Sequence, residues 1–332
     1  MALLLGTALA AVPVRSPGPG RFRWRTGPPL LAPRPGGVSV KDPSVVHHAG
    51  RWHVYMTARQ EGRPASMEYA GFPDWSEAAS ARRVPISLDR TYHCAPQILY
   101  FRPWRQWMLL YQWTDGSRTP EEFGPAFSVL DDPGRPETLS RPVHLFPRKP
   151  QGVDGWLDFW LVCDARHAYL FFTSLDGRMW RTRTRLQDFP RGWEAPVVAL
   201  RADIFEASHT YRLKGQDRWL TIVEAQDGGR RLYKAYLASS LDGEWRPLAD
   251  SRENPFASAA NVEFAAGVAP WTDSISHGEL LREGADETMT LDPRRLRFLF
   301  QGCSAADRTG KEYGQFPWRI GLLEATASPW IP

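Results

Sequence analysis

A chain of 332 residues buries a large core without disulfide staples, and it admits either two ordinary domains or one large β architecture. Hydrophobic residues at 42% and charged residues at 23% exclude a disordered or fibrous chain. Forty-one Lys and Arg against 37 Asp and Glu leave a net charge of +4, too weak a field to drive nucleic-acid binding, and no nucleic-acid-binding motif occurs.

Residues 1–12 (MALLLGTALAAV) are a short apolar run with small residues near its end. The run is too short to span a bilayer and lacks a basic start; it resembles the core of a secretory signal peptide and predicts a secreted, extracellular protein. Residues 13–38 are rich in Pro, Gly and Arg and read as a lead-in, so the boundary of the main domain is drawn at 39. No linker interrupts 39–325. No other apolar run approaches transmembrane length, so no membrane partner is expected.

Within 39–325 five paired strand-like runs recur, about 50 to 80 residues apart. They are 42–48 (DPSVVHH) with 51–57 (RWHVYMT), 95–101 (APQILYF) with 106–112 (QWMLLYQ), and 157–164 (LDFWLVCD) with 168–174 (AYLFFTS). The last two are 204–213 (IFEASHTYRL) with 218–224 (RWLTIVE), and 275–282 (ISHGELLR) with 297–302 (RFLFQG). Further strands are expected at 66–69, 179–184 and 233–239, with turns at Asp176-Gly177 and Asp242-Gly243. With 12% aromatic residues, 29 Pro and 27 Gly, the chain favours short strands over long helices. Units of this size suit four-stranded propeller blades, so the predicted fold is all-β: one five-bladed β-propeller domain, with a pair of β-sandwiches as the alternative. Cys94, Cys163 and Cys303 allow at most one disulfide and lack metal-type spacing.

The first strand of each propeller blade lines the central axis. The early positions of these strands carry Lys41 and Asp42, Gln97, Asp158, Glu206, and His277 with Glu279. Asp42, Asp158 and Glu206 lie in otherwise apolar strands (VKDPSVV, WLDFW, IFEAS), where an isolated charge is costly unless paired or used. Three carboxylates converging on one axis suit glycoside hydrolysis, in which one carboxyl protonates the leaving oxygen and another activates water. A third can raise the pKa of the acid. Abundant aromatic rings fit the apolar faces of sugars, although most of the 15 Trp are expected in the core.

At these residues the sequence resembles glycoside hydrolase family 62, the α-L-arabinofuranosidases of clan F. The resemblance runs from FRWRTGPPL through VSVKDPSVV, GFPDWSEAAS, HCAPQILYF, LLYQW, GWLDFW, IFEAS, ENPFASAANVEF and ISHGELLR to WRIGLL. It implies a five-bladed propeller and inverting removal of α-1,2- or α-1,3-linked arabinofuranosyl side chains from arabinoxylan or its oligosaccharides. It also implies Asp42 as general base, Glu206 as general acid and Asp158 as modulator of that acid. Lys41, Gln97, Trp113, Tyr313 and Arg319 are then expected to contact substrate, and His277 to face an axial calcium ion. A monomer is the expected state. Near the C-terminus KEYGQFPWRIGLL departs from the family pattern: Gly314 stands where Asn is usual and Trp318 where Tyr is usual. The segments TYHCAPQ and 117–124 (SRTPEEFG) are altered too. Alternative functions are a β-xylosidase or arabinanase on the same fold, or a carbohydrate-binding propeller without turnover.

Overall fold

A computed structural model describes residues 21–86, 88, 91–115 and 123–330. The apolar run at 1–12 and most of the 117–124 loop lie outside these residues. The strands form five sheets in chain order, here blades I to V. Blade I contains Gly37–His48, Arg51–Gln60, Ser66–Phe72 and Arg83–Ile86. Blade II contains His93–Phe101, Gln106–Trp113, Gly124–Leu130 and Val143–His144. Blade III contains Leu157–Cys163, His167–Thr173, Arg178–Arg185 and Val197–Arg201. Blade IV runs Glu206–Leu213, Trp219–Asp227, Arg230–Ala238 and Arg246–Ala249, with Thr290–Leu291 added parallel to its first strand.

Blade V closes the ring with strands distant in sequence: Ser276–Leu280, Arg297–Gly302, Arg319–Ala327, Arg23–Thr26 and Val262–Phe264. Arg23–Thr26 lies between an antiparallel and a parallel neighbour. The propeller therefore takes in part of the segment read as a lead-in, ahead of the boundary drawn at 39. Trp24 is the physical reason: it is fully buried, and its indole donates to the Phe256 carbonyl at 2.6 Å.

Hairpins follow turn chemistry. Ala49 and Gly50 both sit at positive φ (49° and 74°) between the first two strands of blade I, the geometry of a type I′ turn. Alternating apolar residues then pack blade against blade through aromatic rings, with Trp24, Trp160, Tyr55, Tyr111 and Tyr211 sealed in the core. All three cysteines are buried and unpaired.

The first strands share one further feature. Each breaks its pairing with the second strand, between Lys41 and Ser44, Cys94 and Gln97, Leu157 and Trp160, Glu206 and His209, and Ser276 and Gly278. In the first four blades the break leaves one residue at positive φ: Asp42, Ala95, Asp158 and Ala207. These are β-bulges, which bend a strand and re-aim its side chains. They stand at one end of the axis.

Candidate active site

The bulges build the site. Asp42 and Asp158 occupy the left-handed position of blades I and III, and His277 occupies the corresponding unpaired position of blade V. Lys41 and Glu206 precede that position in blades I and IV. Glu206 thus aligns with Lys41, not with Asp42, one residue off the equivalence read from sequence. The three carboxylates still converge. His277 Nδ1 lies 3.4 Å from Asp42 Oδ1 and 3.7 Å from Asp158 Oδ1. Asp158 Oδ2 accepts from the Ala207 N–H at 3.1 Å, beside Glu206.

A non-glycine residue at positive φ is strained, and such strain persists only where surroundings hold it. Here the clamps come from the second strands. Gln301 Oε1 accepts from Asp42 N at 2.8 Å, Thr57 Oγ1 from Ala95 N at 2.8 Å and Gln112 Oε1 from Asp158 N at 2.6 Å. Glu224 Oε2 accepts from His277 N at 2.7 Å. Each clamp belongs to the residue paired with the bulge's first position, and it reaches into the next blade. Thr173 holds that position in blade III, but the Ala207 N–H turns to Asp158 instead. Asp158 is therefore both a member of the carboxylate group and an inter-blade clamp.

Burial dominates the electrostatics. It pushes the Glu206 carboxyl up to about 8, with the negative charge of Asp158 as the next cause. Asp158 is also raised to about 8, by burial and then by Asp42 and Glu224. Glu224 is raised to about 7, by burial and then by Glu206. Burial lowers His277 and so favours a neutral imidazole. For Lys41 burial opposes the charge, but Asp42, Tyr313 and Glu206 outweigh it and hold the ammonium well above its ordinary range. Lys41 Nζ donates to Tyr313 Oη at 3.2 Å and stands 3.9 Å from Asp42. Among the described residues no side-chain hydrogen bond to Glu206 is found, and Arg231, Lys41, Asp158 and Asp42 are the charged groups around it.

Sequence reading missed Glu224 and Arg231. The Arg231 guanidinium lies 3.8 Å from the centre of the Phe205 ring, 5.9 Å from that of Tyr313 and 3.4 Å from Glu224. It brings positive charge beside Glu206. A signal was available for Glu224. The runs RWHVYMT, QWMLLYQ, AYLFFTS, RWLTIVE and RFLFQG carry Thr57, Gln112, Thr173, Glu224 and Gln301 at or next to their final position.

Two expected substrate contacts are corrected. Gln97 is buried, and its amide accepts from Leu161 N at 2.7 Å and donates to Leu161 O at 2.8 Å; it staples blade II to blade III. The bulge adds a residue to the strand, so Gln97 falls on the inter-blade side. Arg319 gives one nitrogen to the Trp271 carbonyl at 3.0 Å and to Asp307 at 2.9 Å, and its guanidinium lies over the Trp271 indole. It braces blade V, and Arg231 is the arginine beside Glu206. Trp113 ends the second strand of blade II opposite His93, its ring 4.5 Å from that of His144. The Trp318 side chain is buried behind Tyr313.

His277, expected to face an axial calcium ion, lies beside the carboxylates of Asp42 and Asp158, which are oxygen donors of the kind calcium takes. Calcium takes six to eight oxygen ligands. Here one imidazole nitrogen faces two carboxylates, and among the described residues no group of three or more His, Cys, Asp or Glu side chains is arranged to hold an ion.

Five blades with carboxylates from blades I, III and IV around one axial funnel define a propeller of the glycoside-hydrolase type. The profile of glycosyl hydrolase family 62 matches residues 23–324, and the chain belongs to that family. It is 38% identical over 310 residues to alpha-L-arabinofuranosidase C of Cellvibrio japonicus; the match takes in 91% of this chain and spans 47% of that relative. The catalytic domain of a Coprinopsis cinerea GH62 alpha-L-arabinofuranosidase superimposes with a TM-score of 0.85 at 36% identity, covering 92% of this chain and 98% of that one. A GH62 hydrolase in complex with xylotriose gives a TM-score of 0.83 at 32% identity, over 91% and 97%.

Proposed function

We propose that the protein is an inverting α-L-arabinofuranosidase that removes terminal α-1,2- or α-1,3-linked arabinofuranosyl side chains from arabinoxylan and its oligosaccharides. The observation that carries this reading is the union of Asp42, Asp158 and Glu206 on one funnel floor, with the Glu206 carboxyl held protonated near neutral pH. The likeness to named arabinofuranosidases and to a xylotriose complex supports the substrate class.

In this mechanism Glu206 gives its proton to the glycosidic oxygen as the bond to the arabinose anomeric carbon breaks. Asp42 takes a proton from a water that attacks the same carbon from the opposite face. The products are free arabinose of inverted configuration and a xylan hydroxyl. Asp158, between the two, opposes ionisation of Glu206 wherever it carries its own charge, and it fixes the Ala207 backbone next to that acid. Lys41, locked by Tyr313, directs its ammonium to a sugar hydroxyl. The neutral His277 imidazole stands 3.4 Å from Asp42 and 3.7 Å from Asp158, where its Nδ1 can serve one of the two at a time. The apolar run at 1–12 adds that the enzyme works outside the cell, and a monomer suffices because one chain supplies every group.

The test is purified protein on wheat arabinoxylan followed by proton NMR. Arabinose appearing first as the β-anomer is the expected result. The α-anomer first would overturn inversion, and no arabinose from folded protein would overturn the substrate. Asp42→Ala is expected to cut release by at least about 10³-fold, at the strong end for loss of a general base, with an unchanged circular dichroism spectrum.

A further inference from the structure

The turn after the second strand of blade I stands at the same end of the propeller as the bulges, because Val40 and Lys41 pair with Ala58 and Thr57 just before it. On either side of Gln60 lies a hollow. One, of about 560 Å³, is walled by Arg59, Glu61, Lys311 and Gln315, with the backbones of Gly62, Gly310 and Gly314. The other, of about 610 Å³, is walled by Arg34, Arg63 and Glu68 among others. Gln60 lines both.

The charges here do not cancel. Glu68 is buried and spent, receiving Arg34 and Arg83 at 2.7 Å each. Among the described residues Arg59, Arg63 and Lys311 have no ion-pair partner, and Glu61 is the one other described carboxylate lining the two hollows. Arg59 is partly exposed and lines the first hollow, with its Nη2 nitrogen turned towards Gly314. Gly314 keeps the approach open. A side chain there would point at Arg59, since a Cβ would stand 3.4 Å from Arg59 Nη2. The preceding residue, Tyr313, bonds Lys41, which places the ledge next to the carboxylate group of the funnel.

We propose that the basic ledge of Arg59, Arg63 and Lys311 around Gln60 binds a carboxylate-bearing sugar substituent, a uronic acid on the same polysaccharide, with the Arg59 guanidinium as its main partner. The inference rests on the arabinofuranosidase reading for its substrate. Arg is suited to the task, because its planar fork matches the two oxygens of a carboxylate.

The experiment compares glucuronoarabinoxylan with the same polymer after reduction of its uronic acids to neutral sugars. Binding is read by affinity electrophoresis and arabinose release by kcat/KM, for wild type and for Arg59→Gln. Wild type is expected to prefer the acidic polymer about tenfold in both readouts, the scale of one charge-assisted contact. That ratio should fall towards one in Arg59→Gln and in 0.5 M NaCl. Should Arg59→Gln melt below the assay temperature, the surface variants Arg63→Gln and Lys311→Gln carry the same ratio test. Equal binding and equal release on the two polymers would overturn the ledge. A tenfold binding preference without arabinose release would support the ledge and overturn the hydrolase reading instead.

Discussion

Glu206 shows how far position alone can retune one carboxyl. Its pKa moves from 4.5 to about 8 through burial first and the Asp158 charge second. Activity is therefore expected to fall on an alkaline limb near pH 8, where the acid loses its proton. Asp158→Asn removes the neighbouring charge and should shift that limb to lower pH, read from a pH profile of kcat/KM. Glu206→Gln should abolish the limb along with nearly all turnover. The same substitution has a stability readout. A carboxyl whose pKa is raised in the folded state stabilises most below its unfolded value, and that contribution is lost as pH rises through the folded one. Wild type should thus melt lower at pH 9 than at pH 5. Glu206→Gln, which cannot ionise, should show a smaller fall, and an equal fall would sink the assignment of a buried neutral acid. Asp42, Asp158 and Glu206 were legible in sequence because a charge inside an apolar strand calls for an explanation. Arg231 was not, because it sits in an ordinary polar turn-and-strand sequence and reaches the site only through the stacking of blade IV on the funnel.

At the scale of the strand, the innermost edge of every blade faces the axis, and an open edge leaves backbone groups to be satisfied. Side chains of the neighbouring blade satisfy them. Ser44 Oγ accepts from Ile98 N, Gln97 brackets Leu161, Trp160 Nε1 donates to Thr210 O, and the His209 ring meets Gly278 O. Glu279 closes the circle by accepting from Ser44 Oγ at 2.6 Å, while Arg282 donates to the carbonyls of Val45 and Ile98. Gln97→Leu would leave both groups of Leu161 buried and unpaired. It is expected to cost about 2–4 kcal/mol in urea unfolding while kcat is retained. A large loss of kcat in a protein of unchanged stability would return Gln97 to the substrate. The strands were legible from their apolar runs, but the role of Gln97 was not. A bulge shifts the alternation of inward and outward residues by one, and neither composition nor spacing announces where that shift occurs.

For the whole molecule the decisive element is closure. Blade V is assembled from Ser276–Leu280, Arg297–Gly302 and Arg319–Ala327 with Arg23–Thr26 from the other end of the described chain. Trp24 locks this join, packed on Phe22, Phe256 and Phe298. Trp24→Ala is expected to cost about 3–5 kcal/mol, measured by urea unfolding, with one cooperative transition because a ring opened at one blade loses its axis. A separate early transition confined to blade V would show instead that the other four blades stand alone.

The sequence by itself determined the fold class, the count of five hairpins and the three carboxylates, because these depend on local patterning: apolar runs, turn dipeptides and charges out of place. Tertiary structure alone decided which residue of each strand faces the axis, that Glu206 aligns with Lys41, that Gln97 and Arg319 are braces, and that Glu224 and Arg231 complete the site. It also decided that residues 23–26 close the ring. Those outcomes depend on contacts between blades far apart in the chain, whose geometry is set by bulges and closure rather than by any single stretch of residues.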